Sequence, residues 1–306
     1  MPAHGSEAVE PSFRDLPGHA HGVFGKDDVD GALNRITPDR TRAAAGLVTS
    51  GRVFSLNAPV DWPAGGPGLH HRDIPQHDVI ERFPNVFDDH LDSFFLQGST
   101  QWDSLLHIRD GELGWYNGGG PDTLGVHTWA ERGIAGRGVL VDVYGAHESD
   151  PGSADVDVID VAELERCLES EGVTVEAGDI LLLHTGWMAA FERLSREERV
   201  AQGASPPAPG LASTLEMVEW LWDHGVAAVA ADNPALERWP LAQGEPAVTL
   251  HNWLIPRLGV AIGELWWLQD LAAACREDGR YAFLVTSAPL NVRGGVGSPP
   301  NALAIK

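Results

Sequence analysis

Three short apolar runs, separated from one another by helical patterns, constrain the fold of this chain most strongly. Residues 138–143 (GVLVDV), 179–185 (DILLLHT) and 226–231 (VAAVAA) are rich in aliphatic side chains. Runs of this kind are typical of strands that are covered on both faces. Apolar residues at helical spacing lie between them, at 161–171 and 213–224. Strands that alternate with helices predict an α/β fold with a mixed sheet flanked by helices.

Shorter signals add elements on both sides of these runs. Thr37 before Pro38 is typical of a helix N-cap followed by proline at the first helical position, and Gly46 would end that helix. We also predict strands at 52–56, 94–96 and 282–286 and a helix at 268–276. No linker divides the chain, so we expect one domain over residues 26–306, after a flexible N-terminal arm over residues 1–25 that is rich in Gly, Pro and charge.

The composition excludes several classes of function. The chain has 44 acidic and 21 basic residues and a formal charge of −23, which would repel nucleic acid and anionic membranes. It has no stretch of about 20 apolar residues and no basic region followed by an apolar run at the start, so we expect a cytoplasmic protein. The two cysteines, Cys167 and Cys275, provide neither a disulfide framework nor a cysteine metal cluster.

A polar segment at residues 97–107 (QGSTQWDSLLH) carries the candidate chemistry. If this segment were extended, alternate side chains would share a face, so Gln97, Gln101 and Asp103 would converge, with His107 following. A carboxylate beside amide oxygens suits a hard cation such as Mg²⁺ or Mn²⁺. The alternative is a polar strand end whose groups satisfy one another by internal hydrogen bonds, since an unsatisfied buried group costs about 1–3 kcal/mol.

The spacing of this segment resembles the signature of the Putative cyclase family, His-x-Gly-Thr-His-x-Asp-x-Pro-x-His. In that family the first two histidines and the aspartate bind a divalent metal, and the last histidine serves catalysis. Thr100, Asp103 and His107 match in register. The chain departs from the signature, in a Thr-Gln-Trp-Asp form, at Gln97, Ser99, Gln101 and Leu105.

The resemblance covers most of the chain from about Phe24 onward, through GALNRITPDR, GRVFSL, GDILLLHTGW and AADNPALERWP. The family's second pair, a histidine and a glutamate about twelve residues later, is matched by His251 and Glu264; the alternative is a helix-start histidine and a helix-cap glutamate. The family implies a sheet of the swivelling β/β/α type. It also implies a homodimer or homotetramer, for which the apolar residues 254–268 could supply an interface.

Kynurenine formamidase and isatin hydrolase are branches of this family, so the resemblance implies a hydrolase that opens an amide, imide or lactone bond of a small cyclic or N-acyl substrate, aromatic ones included. A metal-bound water would be the nucleophile, and His107 with Asp103 would transfer protons. The ligands implied for Mn, Zn or Mg are Gln97, Gln101, Asp103, His251 and Glu264.

The two glutamines leave the metal open, because a neutral amide contributes no charge to a divalent cation. The metal would be weakly bound or absent, and a metal-free cyclase or dehydratase and a non-catalytic small-molecule binding protein stay as alternatives. Trp102, Tyr116 and Asn117 are the candidates for substrate binding, since an aromatic substrate could stack on a neighbouring ring.

Overall fold

A computed structural model describes residues 10–64, 67–147, 157–241 and 249–306 of the chain. Its strands are β1 Val53–Ser55, β2 Gln76–Phe83, β3 Val86–Asp92, β4 Gln101–Asp103, β5 Ile134–Val141, β6 Val158–Ile159, β7 Ile180–Leu183, β8 Gly210–Leu211, β9 Ala228–Ala231, β10 Ala261–Glu264, β11 Ala282–Ser287, β12 Gly297–Ser298 and β13 Leu303–Ile305. Its α-helices are α1 Pro38–Ala45, α2 Val126–Arg132, α3 Val143–His147, α4 Val161–Glu171, α5 Trp187–Arg193, α6 Arg196–Gln202, α7 Leu215–Asp223, α8 Leu250–Trp253 and α9 Gln269–Asp278. Short helical turns of other types include Phe13–Asp15, Gly31–Arg35, Leu69–His71, Tyr116–Gly118 and Leu254–Leu258.

A mixed sheet forms the centre of the described part of the chain. Its nine strands run in the order β1-β13-β11-β5-β7-β9-β10-β4-β12. The central strands β5, β7, β9 and β10 are parallel, and antiparallel strands flank them on both sides. Every residue of β7 and β9 is buried, as expected of strands with helices on both faces. The predicted α/β class, a mixed sheet flanked by helices, is confirmed.

The helices with strong local signals lie where the sequence predicts them. Thr37 caps α1 by accepting a hydrogen bond from the main-chain N–H of Arg40. Helix α4 coincides with the predicted range, because Asp160 caps its start and Gly172 adopts a left-handed conformation at its end. Helix α7 starts at Leu215, slightly later than the predicted range 213–224, because Thr214 caps it.

The segment before the polar cluster differs from the prediction. Residues 94–96 do not form a strand; the strand starts at Gln101. Sequence analysis also missed the hairpin of β2 and β3, which is joined by a turn in which Asn85 has a φ of 64°. Every residue of both strands is exposed, so the hairpin lacks the one-sided apolar alternation by which strands are recognised.

Residues 10–25, the described part of the predicted arm, lie against the domain. The Phe13 ring packs 5.7 Å from that of Trp253, and the indole N–H of Trp222 donates to the carbonyl of Pro11 at 3.0 Å. The main-chain N–H of Ala20 donates to the carbonyl of Arg257 at 2.8 Å. Residues 1–9 lie outside the described residues, and the flexibility of the arm stays a prediction.

The apolar segment 254–268 lies in the core of the chain. Leu254, Ile255, Leu258 and Trp266 are fully buried. These side chains are therefore already used within the domain, which corrects the expectation that they supply an interface between subunits. Among the helices that the structure describes, none has the length and apolar character needed to cross a bilayer.

Candidate active site

Strands β4 and β10 place the polar side chains of the candidate site. They pair antiparallel, with Gln101 opposite Glu264 and Trp102 opposite Gly263. Because side chains alternate across a strand, Gln101 and Asp103 share one face and Trp102 points to the other. The Trp102 ring is fully buried there, 4.7 Å from that of Trp266. One face of β4 is thus polar and the other aromatic.

Asp103 lies at the centre of the polar face and is fully buried. Its Oδ1 accepts a hydrogen bond from the side-chain amide of Gln97, but its Oδ2 has no hydrogen-bond partner among the described residues. Two imidazoles flank the carboxylate: Nδ1 of His107 lies 3.7 Å from Oδ1, and Nε2 of His251 lies 3.7 Å from Oδ2. Burial opposes the charge, but His107, His251 and Arg72 outweigh it and hold the pKa of Asp103 below its usual value.

Gln97 reaches Asp103 from a turn and not from the strand, so the predicted extended arrangement is wrong although Gln97 does meet Asp103 and His107. Its amide nitrogen also lies 2.9 Å from Nδ1 of His107. Gly297 on β12 pairs with Asp103 on β4. The glycine leaves room for the Gln97 side chain, because a Cβ at position 297 would overlap Cγ of Gln97. Ser99 does not join this face, since its hydroxyl donates to the carbonyl of Pro59 at 2.8 Å.

The orientation of the Gln101 amide is fixed by its two neighbours. Its NH₂ group donates to Oε2 of Glu264, and its oxygen accepts from Nη1 of Arg72 at 3.4 Å. A flipped amide would place the NH₂ group against the guanidinium and the oxygen against the carboxylate, and both contacts would be repulsive. Gln101 therefore connects Arg72 to Glu264 and does not offer its oxygen to the centre of the site.

His251 is held among three carboxylates. Its Nε2 lies 3.2 Å from Oε1 of Glu264, and its Nδ1 lies 3.0 Å from Oε1 of Glu237. Burial disfavours the imidazolium, but the interactions with Asp103, Glu237 and Glu264 raise the pKa of His251 well above its usual value.

Glu237 is a site residue that sequence analysis missed. It is buried and also accepts hydrogen bonds from the Ser213 hydroxyl and the Leu250 main-chain N–H, each at 2.6 Å. It lies in AADNPALERWP, one of the segments that resembles the family, which was the available signal. Its role depends on contacts 14 residues away in sequence, with His251, that no local pattern shows.

The cluster is suited to a divalent cation. Asp103, His107 and His251 each offer a ligand atom, and these atoms lie within 4.8 Å of one another. The unpaired Oδ2 of the buried Asp103 is the kind of atom that a cation would satisfy. A carboxylate with imidazoles is a donor set for zinc or manganese, whereas the two predicted amide ligands turn their NH₂ groups to the carboxylates.

The three predicted substrate-binding residues are engaged elsewhere. Trp102 donates from its indole N–H to the Ser287 hydroxyl at 2.9 Å on the far face of β4. Tyr116 is buried and donates to Asp28 at 2.9 Å. Asn117 donates to three carbonyls of the neighbouring loop, those of Gly25, Lys26 and Asp28. The structure brings none of these side chains to the Asp103 cluster.

A second polar cluster lies at the carboxyl ends of β5, β7 and β9. The His184 ring is 2.7 Å from Oδ1 of Asp142 through Nδ1 and 4.0 Å from Oδ2 of Asp232 through Nε2. Thr185 donates to Asp232 from both its main-chain N–H and its hydroxyl, each at 2.7 Å. All four residues are buried, so this cluster ties strand ends together and offers no access to a substrate.

A cavity lined by residues of the N-terminal segment and of α7 also lies apart from Asp103. It has a volume of about 720 Å³, and its lining includes Phe24, Arg35 and Trp222. The Arg35 guanidinium is already bound to Glu10 and to the carbonyls of Trp222 and Val226. The Arg35 side chain is therefore already engaged within the fold.

Comparison with known proteins identifies a matching family and similar solved structures. The sequence model of a family described as Putative cyclase matches residues 54–238, a range that includes Gln97 to His107. A crystal structure described as that of a novel cyclase is 37% identical to this chain, with a TM-score of 0.82, and the alignment covers 94% of this chain and 99% of the other. No curated protein shows a significant match.

More distant structures share the fold. An isatin hydrolase bound to the product analogue thioisatinate is 19% identical, with a TM-score of 0.61, over 85% of this chain and 92% of the other. Isatin hydrolase A from Ralstonia solanacearum is 20% identical, with a TM-score of 0.57, over 83% and 92%. A predicted metal-dependent hydrolase from Bacillus stearothermophilus is 18% identical, with a TM-score of 0.52, over 84% and 98%.

Proposed function

This chain belongs to the Putative cyclase family, and from that premise we propose that it is a metal-dependent hydrolase of an amide, imide or lactone bond in a small cyclic or N-acyl substrate. One observation carries the proposal: the buried carboxylate of Asp103 has an unpaired oxygen and stands between the imidazoles of His107 and His251. Isatin hydrolases share the fold, and formamidases are the other branch that the resemblance implies.

His107 is the group that transfers protons. Its side chain is 22% exposed whereas Asp103 beside it is fully buried, so a substrate can reach the ring. Nδ1 of His107 lies 2.9 Å from the side-chain amide nitrogen of Gln97, within hydrogen-bond distance. As general base the ring takes a proton from the attacking water, and as the resulting imidazolium it gives that proton to the departing nitrogen or oxygen, a cycle worth about 10²–10⁴ in rate.

Of the three grouped ligands, Asp103 and His251 would hold a divalent metal ion together with Glu264, whose Oε1 lies 3.2 Å from Nε2 of His251, and His107 is kept for proton transfer. Glu237 binds Nδ1 of His251, so Nε2, which faces Asp103 and Glu264, is the nitrogen that would meet the ion, the usual arrangement of a carboxylate behind a metal-binding histidine. Such an ion supplies positive charge that polarises a substrate carbonyl and makes hydroxide available near neutral pH. Gln97 and Gln101 orient the two carboxylates from behind.

One observation favours a second candidate, a metal-free cyclase or dehydratase. The glutamine NH₂ groups donate to Asp103 and Glu264, so both carboxylates have a hydrogen-bond donor without a cation. In that case His107 and Asp103 alone would transfer protons.

A substrate panel tests the proposal. Protein purified without chelator is assayed with N-formylkynurenine, isatin and simple lactones, with and without added Mn²⁺, Zn²⁺ or Mg²⁺. We expect metal-stimulated hydrolysis, and we expect the His107→Ala variant to lose turnover about a hundredfold or more with the fold intact. His90→Ala, a change at an exposed histidine of the hairpin, is the matched control. Metal-independent ring closure or water elimination would favour the second candidate, and full activity in His107→Ala would remove His107 from the mechanism.

We also propose that the chain acts in the cytoplasm as a homodimer or homotetramer with a small molecule as its partner, as the family implies. Light scattering on the purified protein measures the number of subunits, and a strict monomer would contradict this part of the proposal.

A further inference from the structure

Arg72 is a cation at the edge of the Asp103 cluster that the proposed mechanism does not use. Its Nη1 donates to the carbonyl of Gln97 at 2.5 Å and to the side-chain oxygen of Gln101 at 3.4 Å. Both hydrogen bonds come from this one nitrogen. Nε and Nη2 make none with the described residues, and the side chain is only partly buried. One edge of the guanidinium therefore stays available.

The loop that carries Arg72 is held in a strained conformation. His70 and His71, the two residues before it, have φ angles of 52° and 59°, in the left-handed region that costs a non-glycine residue about 1–2 kcal/mol. Gly68 is required at the start of this turn, because a Cβ there would overlap the carbonyl oxygen of Arg72. Strain of this kind persists only where surrounding contacts determine the conformation, and it occurs often at functional sites.

Contacts from another part of the chain fix this loop. The main-chain N–H of His70 donates to the carbonyl of Ala204 at 2.6 Å, and its ring Nε2 lies 2.9 Å from the carbonyl of Pro234. The same ring packs edge-on against Trp239 at 6.0 Å. The position of Arg72 is thus set before any ligand binds, which lowers the cost of recognition.

The charge of the site explains why such a cation matters. Asp103, Glu237 and Glu264 surround His251, and the protein as a whole carries a formal charge of −23. An anionic substrate would be repelled unless a positive group met it. The free edge of Arg72, with Nε–H and Nη2–H side by side, has the fork geometry that binds a carboxylate through two parallel hydrogen bonds.

We propose that Arg72 is a specificity-determining residue, and that the hydrolase acts on small amides, imides or lactones that carry a carboxylate, which binds to the Nε and Nη2 edge of the guanidinium. The type of reaction in this inference rests on the proposed function. The binding of a carboxylate rests only on the geometry of the Arg72 guanidinium. Neutral molecules of the same shape bind more weakly because they leave this edge unpaired.

Calorimetric titration with benzoate and with benzamide, its neutral isostere, tests the proposal separately from catalysis. We expect the wild-type protein to bind benzoate at least about tenfold more tightly than benzamide. Arg72→Gln should remove that preference and leave benzamide binding unchanged. Arg72→Lys, which keeps the charge and a donor to Gln97 but not the fork, should keep only part of the preference. Arg42→Gln, at an exposed arginine of α1, is the control for net charge.

The outcomes separate the inference from the proposed function. Loss of benzoate binding alone in Arg72→Gln supports the role of Arg72, even if no substrate of the panel is hydrolysed. An unchanged preference in Arg72→Gln, an equal loss for both probes, or an equal effect of Arg42→Gln overturns it. A further outcome is that the wild-type protein shows no preference for benzoate and that Arg72→Gln hydrolyses neutral substrates as fast as wild type. That result would support the hydrolase function and overturn the proposed carboxylate specificity.

Discussion

Gly297→Ala is a one-methyl test of how the site is assembled. Gly297 pairs with Asp103 across β4 and β12, and an added Cβ would overlap Cγ of Gln97. Cγ is close to the main chain, so the side chain cannot avoid the methyl group by moving its tip. We therefore expect Gln97 to leave Asp103 and His107, and the buried carboxylate to lose the hydrogen bond that Gln97 donates.

The magnitude has two parts. Overpacking of a filled site costs about 1–3 kcal/mol, and loss of a hydrogen bond to a charged group costs about 1.5–3 kcal/mol. The free energy of unfolding should therefore fall by about 2.5–6 kcal/mol, measured by denaturant titration. If the added methyl group acts by displacing Gln97, Gly297→Ala should lower the free energy of unfolding less in a Gln97→Ala background than in the wild type. The difference between the two backgrounds should be about 0.5–3 kcal/mol.

Gly111→Ala is the matched control, because a Cβ at this exposed glycine meets nothing within 4 Å. It should leave the free energy of unfolding within about 0.5 kcal/mol of wild type. The reasoning is refuted if Gly297→Ala is as stable as wild type, or if its cost is the same with and without the Gln97 side chain.

Two further substitutions follow from buried carboxylates. Glu237→Gln should weaken the binding of Zn²⁺ or Mn²⁺ by about 10–100-fold, because the Glu237 carboxylate fixes the orientation of the His251 ring. Competition with a chelator measures the metal affinity, and an unchanged affinity would exclude this positioning role for Glu237. Burial raises the pKa of Glu171 from 4.5 to about 8, so this group stabilises the fold fully below pH 4.5 and loses that contribution as the pH rises through about 8. Glu171→Gln should therefore be more stable than wild type by an amount on the order of a few kcal/mol at pH 9 and about equally stable at pH 4. Denaturant titrations measure the difference in the free energy of unfolding, and a difference that does not vary with pH would contradict the raised pKa of Glu171.

The parts of the fold that the sequence predicts are those with strong local signals. Helix α4 has a capping aspartate, an apolar stripe and a terminal glycine within thirteen residues, from Asp160 to Gly172, so its range needs no tertiary information. Strands β7 and β9 are apolar throughout because the sheet is covered on both faces there. The exposed hairpin β2–β3 lacks such a pattern, and its register depends on the partner strand alone.

The sequence predicts which residues form the site better than it predicts how they are arranged. The motif spacing identified Gln97, Asp103 and His107 as site residues, but the predicted strand at 94–96 is not the element that positions them. Gln97 lies in a turn, and its side chain fits only because Gly297, about 200 residues later, has no Cβ. Pairing of β4 with β10, which places Glu264 opposite Gln101, is likewise non-local. Arg72 has no motif of its own, and Glu237 has only the resemblance of its segment AADNPALERWP to the family, so tertiary contacts are needed to relate either residue to the site.

The number of divalent ions that each chain binds tests the central claim most directly. Metal analysis and calorimetric titration with Zn²⁺ or Mn²⁺ are made on the wild-type protein, on Asp103→Asn and on Asp39→Asn, a control at an exposed aspartate of α1. Asp103 provides the unpaired buried oxygen, so we expect one ion per chain in the wild type and in the control and none in Asp103→Asn. Binding that is equal in all three proteins, or absent from all three, would contradict the account.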